Sequence, residues 1–416
     1  MSGELRNKPP LGRVLGIIAE YDPFHNGHLY HLETAKRITG AELAVCVMSG
    51  EFTQRGNPAW YSKYLRAEAA TCNGADLVIA LPFVYACNNA EYFARGAVDI
   101  LDGLGCVDAV AFGSESGDIT PLLRAADVLA ENSEELNARI KDGMARGWSY
   151  PKARSSAVAA AIGSGAAQIL ANPNDILGVE YLRRLKERGS ALEPVAVRRF
   201  ACGDNEVSAS DFVAGGAVLR SMLAEGADIS PYIPRETAEV IARYANDGVR
   251  PVCSDALLPF LLYAVSVRYR GELAEIFSAT EGLENRLADA AREASSLADL
   301  VRRVKTKRYT ETRIRRLIAH TIMGLTKNAM AEAEAGGLYA RVLAFSDGGA
   351  ALLRHIKKSG CARLPLITNP TKQRDELAGC EAVTRFDRRA ADVYRLLSAG
   401  IMAGFDDRKM APARKG

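Results

Sequence analysis

The chain has 416 residues, of which 48% are hydrophobic and 25% charged, and its formal net charge at pH 7 is +3. This balance is typical of a soluble globular protein with two or three domains. No apolar run reaches the roughly 18 residues of a membrane-spanning helix, and the polar start MSGELRNKPPLGR lacks the apolar core of a secretory signal, so we expect no membrane association. The eight scattered cysteines contain no CxxC pair, which predicts reduced thiols in the cytoplasm rather than disulfides or a metal site.

Strand and helix patterns alternate through the first half of the chain. Short apolar runs predict strands at 13–20, 41–49, 75–82, 108–114 and 191–200. Helical periodicity predicts helices at 28–38, 59–74 and 88–105, mostly helix over 119–188, and a polar loop followed by a helix over 205–225. Strands that are apolar on both faces and separated by helices indicate a doubly wound, parallel α/β sheet, whose ligands bind at the carboxyl ends of the strands.

Beyond residue 226 the strand patterns nearly vanish. The segments 236–250, 255–300 and 308–335 have helical patterns rich in Ala, Leu, Glu and Arg. The two prolines of ADISPYIPRE (227–236) mark the expected boundary. We therefore predict an α/β domain over 1–226 and a mainly helical domain over 227–416, with only the final MAPARKG disordered.

The loop after the first strand concentrates histidine. The segment EYDPFHNGHLYH (20–31) holds three of the five histidines, and His25, Gly27 and His28 form an HxGH pattern between a strand and a helix. The glycine permits a tight turn, and the helix N-terminus offers free amides to a phosphate. Imidazoles beside that phosphate can stabilise charge on an α-phosphate while pyrophosphate leaves. The pattern predicts nucleotide chemistry with His25 and His28 as catalytic residues, and it disfavours a metal site, for which Glu20 and Asp22 are weak partners.

The stretch GIIAEYDPFHNGHLYHL resembles the N-terminus of the bacterial tRNA(Met) cytidine acetate ligases, members of the HxGH nucleotidyltransferase superfamily. The likeness continues through MSGEFTQRGNPA (48–59), ADLVIALPFVYACNNAEYFARGAV (75–98), AFGSES (111–116), SYPKAR (149–154), NPNDILGVEYL (172–182) and KRYTETRIRRLIAH (307–320). It implies a Rossmann-like catalytic domain and an enzyme that activates acetate with ATP to acetyl-adenylate. The acetyl group would then pass to the exocyclic amine of the wobble cytidine of elongator tRNA(Met), forming N-acetylcytidine.

The resemblance also implies which residues bind ATP. They lie on the first strand and its loop, at the end of the fourth strand, in NPNDILG and in VRRF: Gly16, Ile17, Ile18, Ala19, Glu20, Tyr21, Asp22, Pro23, Phe24, His25, Asn26, Gly27, His28, Leu29, Gly113, Asn174 and Arg199. Arg198 competes with Arg199 for its position. By composition alone, Asn174 is a helix cap and Arg199 a solvated charge at a strand end.

Two further segments are candidates for contacts with phosphate or substrate. One is a loop at the carboxyl edge of the predicted sheet, where Ser49, Gln54 and Arg55 can contact substrate. The alternative is that this loop is only a polar connection between elements. In AGGAVLR (214–220), Arg220 matches the end of a Ser/Thr-rich motif that holds the triphosphate in related nucleotidyltransferases, but glycines and alanine replace the hydroxyl residues. Backbone amides at a glycine-rich helix start can still bind phosphate.

The second half contains two basic stretches. Residues 301–320 hold eight Lys or Arg and one Glu, and residues 351–374 hold six Lys or Arg and no acid. Such runs are usually solvated helix faces, but two of them in a nearly neutral chain favour a phosphate backbone. We predict tRNA binding by shape through the first stretch, with Tyr309 stacking on a base, and with contacts from Lys305, Lys307, Arg308, Arg313, Arg315 and Arg316.

The expected ligands are ATP, Mg²⁺ bound with it, acetate and tRNA, with no obligate protein partner. Two alternatives remain open from the residues. One is an adenylyltransferase for a small substrate, against which the long basic extension argues. The other is a non-catalytic tRNA-binding protein with a vestigial nucleotide site, which the departure in AGGAVLR keeps possible.

Overall fold

The structure is a computed structural model that describes residues 12–163, 169–199, 207–208, 213–398 and 406–415. The polar start up to residue 11 and part of the predicted 205–225 loop lie outside these ranges. The strands are β1 (Val14–Ala19), β2 (Leu43–Ser49), β3 (Leu77–Leu81), β4 (Ala109–Ser114), β5 (Glu193–Arg198), β6 (Val207–Ser208), β7 (Val213–Ala214), β8 (Ala340–Phe345), β9 (Leu366–Ile367) and β10 (Ala413–Arg414).

Helices separate the strands of the first half. They are α1 (Asn26–Thr39), α2 (Lys63–Cys72), α3 (Phe83–Ala86), α4 (Ala90–Gly103), α5 (Ile119–Glu131), α6 (Glu134–Ala145), α7 (Tyr150–Ile162), α8 (Pro173–Glu187) and α9 (Gly216–Ala224). The second half adds α10 (Arg235–Asn246), α11 (Leu258–Ser266), α12 (Arg270–Ala274), α13 (Leu283–Ala291), α14 (Leu297–Val304), α15 (Glu311–Met323), α16 (Lys327–Ala335), α17 (Asp347–Ser359) and α18 (Glu381–Leu397). Among the described helices, none combines the length and apolar character needed to cross a bilayer.

The main sheet has the order β10-β8-β3-β2-β1-β4-β5, with β9 also paired to β8. Strands β1 to β5 are parallel to one another, and the order reverses at β1, which confirms the doubly wound α/β fold. Successive residues of β1 enter different cores: Leu15 and Ile17 pack with α1 and α2, whereas Val14 and Ile18 pack with α4. The first and fourth strands are therefore held rigidly where their carboxyl ends meet.

Strand β8 was missed by the sequence analysis, which expected almost no strands beyond residue 226. It lies antiparallel to β3, and five of its six residues are buried. Its sequence ARVLAF contains the helix-favouring residues Ala, Leu and Arg, so its strand conformation depends on pairing with a segment distant in sequence. The boundary between 226 and 227 stays a prediction, and the second half contributes strands to the first half's sheet.

The C-terminal segment was expected to be disordered from residue 410, and this was wrong for residues 410–415. Strand β10 pairs in parallel with β8, and Arg341 of β8 donates a 2.6 Å hydrogen bond from Nη2 to the Met410 carbonyl. The ammonium of Lys63 lies 2.5 Å from Asp407, which also accepts a 2.7 Å hydrogen bond from the Tyr64 hydroxyl. Buried polar contacts, which the segment's composition does not reveal, attach it to the sheet.

Asp387 of α18 connects the helical half to the end of β3. Its carboxylate accepts hydrogen bonds from the Phe83 amide (2.6 Å) and the Tyr339 hydroxyl (2.5 Å). Burial raises the pKa of Asp387 to about 6, although both hydrogen bonds oppose the shift. The folded protein therefore holds a proton here at pH values where the unfolded chain, with an Asp pKa of about 3.9, has lost it.

We expect Asp387→Asn to weaken the dependence of stability on pH between about 4 and 6. A raised carboxyl pKa means that the wild type loses stability as the pH rises through this window, and Asn keeps a carbonyl for Phe83 without the buried charge. From pH 4 to pH 7 the variant should gain about 2–3 kcal/mol in unfolding free energy relative to the wild type. Urea denaturation at both pH values measures this, with the exposed Asp392→Asn on the same helix as control; equal pH dependence in all three proteins would contradict it.

Candidate functional site

A cleft of about 1070 Å³ opens at the carboxyl ends of β1, β4 and β5. The loop after β1 and the first residues of α8 and α9 line part of it. Residues 277–281 and several residues of 308–316, from the second half of the chain, line another part. The predicted nucleotide motif and part of the predicted basic segment therefore share one cavity.

His25 and His28 are held against each other at the start of α1. His25 is the N-cap, and its Nδ1 accepts a 3.1 Å hydrogen bond from the Gly27 amide. The Nδ1 of His28 accepts a 3.3 Å hydrogen bond from the His25 amide, and the two rings stack with centroids 3.6 Å apart. Because both Nδ1 atoms accept, each neutral imidazole carries its proton on Nε2. The motif thus supplies two neighbouring Nε2–H donors in the cleft.

The environment keeps His28 and His31 neutral. Burial, followed by the charges of His25, Arg199, His31 and Arg220, lowers the pKa of His28 well below its ordinary value. Burial likewise lowers the pKa of His31 to about 4, although a hydrogen bond with the Phe112 backbone opposes the shift. The cleft's positive charge at pH 7 is therefore carried by arginines, whereas the imidazoles act as hydrogen-bonding groups.

A buried arginine fixes the two strand ends that carry the site. Arg66 of α2 is fully buried and donates hydrogen bonds to the carbonyls of Glu20 (2.6 Å), Tyr61 (2.9 Å) and Ser49 (3.1 Å), as well as Gly50. Ser49, a predicted substrate contact, lies fully buried beside it and does not line the cleft. Glu20 does line the cleft. Burial raises the pKa of its carboxyl group, and a 2.6 Å hydrogen bond donated by the Gln54 amide opposes this shift.

The start of α9 forms an uncapped helix N-terminus beside the histidine loop. Gly215, Gly216, Ala217 and Arg220 line the cleft, and among the described residues no side chain caps the helix. Arg220 donates a 2.7 Å hydrogen bond from Nη1 to the Asp22 carbonyl, and a Cβ at position 216 would lie 3.2 Å from that Nη1. The replacement of hydroxyl residues in AGGAVLR therefore leaves backbone amides and one guanidinium as the groups available to a phosphate.

Gly113, Asn174 and Arg199 line the cleft at the ends of β4 and β5 and at the start of α8. A Cβ at position 113 would lie 3.2 Å from Arg199 Cγ, so glycine leaves room for that side chain. Asn174 is inside the helix, after the N-cap Asn172, and its Nδ2 donates a 2.7 Å hydrogen bond to Glu115. Asn174 thus belongs to the cleft and contributes to the helix start through Glu115.

The predicted site residues divide into two groups. Those that line the cleft are Ile17, Ile18, Ala19, Glu20, Tyr21, Asp22, His25, Gly27, His28, Gln54, Arg55, Gly113, Asn174, Arg199, Arg220, Arg308, Arg313 and Arg316. Those outside its lining are Gly16, Pro23, Phe24, Asn26, Leu29, Ser49, Lys305, Lys307 and Arg315. Both Arg198 and Arg199 line it, so the competition between them stays open.

The basic segment 301–320 is less charged than its sequence suggests. Two acids that lie outside this segment form ion pairs with its arginines. Asp299 pairs with Arg302 and Arg303, and Glu281 pairs with Arg308 and Arg313. Tyr309 is only 7% exposed, and its hydroxyl donates a 2.6 Å hydrogen bond to the Glu281 carbonyl. The expectation that Tyr309 stacks on a base was wrong, because the ring is used in packing.

Sequence reasoning missed two groups of cleft residues. The first group lies in and just after SYPKAR, a segment that the family resemblance included without a role for its residues: Tyr150, Pro151, Arg154 and Ser155. Residues 277–281 fall within 255–300, which was predicted to be helical, but they lie in a loop between α12 and α13. The docking of the helical half brings 277–281 to the cleft, and such docking is not readable from local patterns.

Comparison with known proteins gives consistent results over nearly the whole chain. A family model described as HIGH Nucleotidyl Transferase matches residues 12–406. The tRNA(Met) cytidine acetate ligase of Syntrophotalea carbinolica is 39% identical over 403 residues, covering 93% of this chain and 95% of that protein. The protein of the same name from Caldanaerobacter subterraneus subsp. tengcongensis is 38% identical over 386 residues, covering 92% and 95%. The chain belongs to the tRNA(Met) cytidine acetate ligase family.

Solved structures support membership in the tRNA(Met) cytidine acetate ligase family at the level of the fold. The crystal structure of Thermotoga maritima TmcAL bound with alpha-thio ATP superposes with a TM-score of 0.90 and 32% identity, covering 97% of this chain and all of that one. The apo form of the same protein gives a TM-score of 0.91 at the same identity and coverage. The architecture of this family member, including its helical half, therefore matches that of a family protein crystallised with an ATP analogue.

The loop 50–58 of this protein packs closely against α15, and the absence of a side chain at Gly56 allows this contact. Gly56 has φ +87°, and a Cβ there would lie 2.5 Å from the Arg315 carbonyl carbon. Arg315 also donates a 3.0 Å hydrogen bond to Asn57. The loop thereby connects the carboxyl end of β2 to the basic helix, beside the cleft-lining Gln54 and Arg55.

We expect Gly56→Ala to lower the unfolding free energy by about 2 kcal/mol or more, from backbone strain together with the clash against α15. Gly147→Ala is the matched control, because Gly147 has φ +83° and no atom within 4 Å of an added Cβ. Urea denaturation of both variants measures the difference, which isolates the clash. Equal destabilisation in the two variants would contradict a tight contact at Gly56.

Proposed function

We propose that this protein is an ATP-dependent ligase that acetylates the wobble cytidine of elongator tRNA(Met). The observation that carries the proposal is the shared cleft, where the HxGH histidines and arginines of the helical half line one cavity. The family relatives named above support the same reaction. The proposal includes the predicted role of each domain: residues 1–226 bind ATP, and residues 227–416 bind tRNA. Strands β8 and β10 of the second domain also belong to the main sheet.

In the first step, a carboxylate oxygen of acetate attacks the α-phosphorus of ATP, the bond to the β-phosphate oxygen breaks, and pyrophosphate leaves. The Nε2–H donors of His25 and His28 stabilise the charge that develops on the phosphate. Arg220 and the backbone amides at the start of α9 bind the leaving phosphates. Gly113, Asn174 and Arg199 contact the rest of the nucleotide.

In the second step, the exocyclic amine of cytidine attacks the acetyl carbonyl carbon. A C–N bond forms, the bond to the AMP oxygen breaks, and the amine loses one proton. Arg308, Arg313 and Arg316 line the cleft, and Lys305, Lys307 and Arg315 flank them along the same segment, which supports a role for these residues in tRNA binding. The positive charge of this segment favours binding of the polyanionic tRNA.

Mg²⁺ is proposed to accompany ATP. The ion prefers oxygen ligands and is usually held by substrate phosphates with one or two carboxylates. Glu20 and Asp22 both line the cleft in the histidine loop, so they would supply the one or two carboxylates while the substrate phosphates hold most of the ion. When bound, Mg²⁺ neutralises phosphate charge.

The test uses the purified chain, ATP, Mg²⁺ and labelled acetate, with and without total bacterial tRNA. The expected result is label in tRNA that digestion releases as N-acetylcytidine, together with AMP and pyrophosphate. If tRNA binds but neither label transfer nor AMP appears, the protein is a non-catalytic tRNA-binding protein. If a phosphorylated small molecule becomes adenylylated while tRNA stays unlabelled, the adenylyltransferase alternative holds.

A further inference from the structure

Residues 277–281 form a fixed polar wall of the cleft. Phe277, Ser278, Thr280 and Glu281 all line it. The Phe277 amide donates a 2.9 Å hydrogen bond to the Leu325 carbonyl, and the Ser278 hydroxyl lies 2.5 Å from Nδ1 of the buried His320. The segment is therefore attached to the core of the helical half at two points, and its polar groups have fixed positions.

Glu281 adopts an unusual backbone conformation in this wall. Its φ is +61°, in the left-handed region that a residue with a side chain rarely occupies, and Gly282 follows at +79°. Such a conformation costs on the order of 1–3 kcal/mol and is often found at binding sites. The Tyr309 hydroxyl holds the Glu281 carbonyl at 2.6 Å.

Two arginines orient the Glu281 carboxylate. Arg308 Nη2 donates to Oε1 at 2.7 Å, and Arg313 Nη2 donates to Oε2 at 3.2 Å. Partial burial opposes ionisation, but the hydrogen bonds and charges of these arginines lower the pKa of Glu281, so it is anionic at neutral pH. The Arg313 guanidinium also lies over the Tyr309 ring, 5.1 Å from its centroid.

The carboxylate and Arg313 retain capacity for a ligand. A carboxylate has about four acceptor positions, and the two arginines occupy one on each oxygen. Within the described ranges, the side-chain hydrogen bonds of Arg313 are both donated by Nη2, to Glu281 and to Thr280. Its Nη1 and Nε atoms donate no hydrogen bond to these residues. The pair thus presents acceptor positions next to donors in one fixed arrangement that lines the cavity.

This arrangement complements the Watson–Crick edge of cytosine. Cytosine offers an N4 amine as donor beside N3 and O2 as acceptors, and Glu or Asp side chains recognise cytosine by accepting from N4. Uracil has an oxygen in place of N4 and a proton on N3, so it would place an acceptor against the carboxylate. An acceptor beside a guanidinium therefore favours cytosine over uracil.

We propose that Glu281 and Arg313 form the subsite that recognises the target cytosine, with Glu281 accepting a hydrogen bond from N4 and Arg313 donating to the adjacent acceptors. The proposal rests on the proposed function and specifies how the cytidine is selected and oriented. Glu281 directs the N4 amine, which is the attacking group, within the same cavity as His25 and His28.

The test compares wild type and Glu281→Gln with two transcripts of tRNA(Met), one with the wobble cytidine and one with uridine in its place. Binding of each transcript is measured by titration, and acetyl transfer is measured relative to acetate-dependent AMP formation. Glutamine has the same size but can turn its amide to donate to uracil. We expect the preference for the cytidine transcript to fall by about ten-fold or more, and the transfer ratio to fall with it.

Glu284→Gln is the control, because Glu284 lies three residues further on, outside the cleft lining. Arg313→Lys keeps the charge but loses the planar fork, and it should also reduce the preference. An unchanged preference in both Glu281→Gln and Arg313→Lys overturns the proposal, as does an equal loss of affinity for both transcripts, which would indicate a backbone or structural role. Absence of any acetylation by the wild type would instead refute the proposed function.

Discussion

Replacing His25 or His28 with alanine is expected to lower the rate constant for acetyl-adenylate formation by about 100- to 1,000-fold. The Nδ1 atom of each stacked ring accepts a backbone hydrogen bond, so Nε2 carries a proton and donates a hydrogen bond that strengthens as charge develops on the α-phosphate. The removed interaction is made mainly in the transition state, so kcat should fall while the KM for ATP changes little. Acetate-dependent pyrophosphate exchange measures both quantities.

His25 also caps α1, so a structural contribution has to be separated from chemistry. His25→Asn supplies a side chain that caps helices well but lacks the imidazole Nε2–H. It should restore the thermal stability lost in His25→Ala without restoring the rate. His355→Ala on α17, outside the cleft lining, controls for the loss of any histidine. Recovery of the rate by His25→Asn would assign the residue to helix capping alone.

Replacing Asp407 with alanine should lower the unfolding free energy by about 3–5 kcal/mol. The change leaves the ammonium of Lys63 buried, with the Glu51 carboxylate 3.9 Å away as incomplete compensation. It also removes the hydrogen bond from Tyr64, and so releases the segment that carries β10. Asp406→Ala is the matched control, because Asp406 pairs with the exposed Arg408. Urea denaturation at pH 7 distinguishes the two variants.

The same pair has a predicted pH dependence. Burial raises the pKa of Asp407, but the charge and hydrogen bond of Lys63, together with Tyr64, outweigh it and lower the pKa below its ordinary value. The stabilisation is therefore complete above the unfolded-state pKa of about 3.9 and is lost as the pH falls through the lower folded value. The difference between wild type and Asp407→Ala should shrink in acid, and a constant difference would contradict a charged pair.

Local patterns predicted the elements whose residue types match their final conformation. The five parallel strands and the HxGH loop were correctly placed because apolar runs, helix starts and glycine follow from neighbouring residues. Strand β8 and residues 410–415 were missed because their residue types do not favour a strand, so only pairing with residues far away in sequence determines their conformation. Ser49 was assigned to a substrate loop although it ends a buried strand, and only the position of Arg66 shows why it faces inward.

The candidate site was predictable to a similar extent. The histidines, Arg220 and Gly113 belong to motifs at strand or helix ends, and the topology of a doubly wound sheet brings such ends together. Glu281 and Tyr309 lie between or beside helices, where composition indicates exposure but not direction. Glu281 lines the cleft whereas Tyr309 packs in the interior, and this difference depends on how the helices pack together.

The position of β8 has a consequence for biosynthesis. The edge of β3 stays unpaired until about 260 further residues have been made, which takes roughly 15–50 s at bacterial rates of translation. An open edge strand is a hazard for aggregation during this interval. The intervening residues include the basic segment proposed to bind tRNA. A nascent chain therefore completes the sheet only after the basic segment has been made, so a product that ends before residue 340 would keep an open β3 edge.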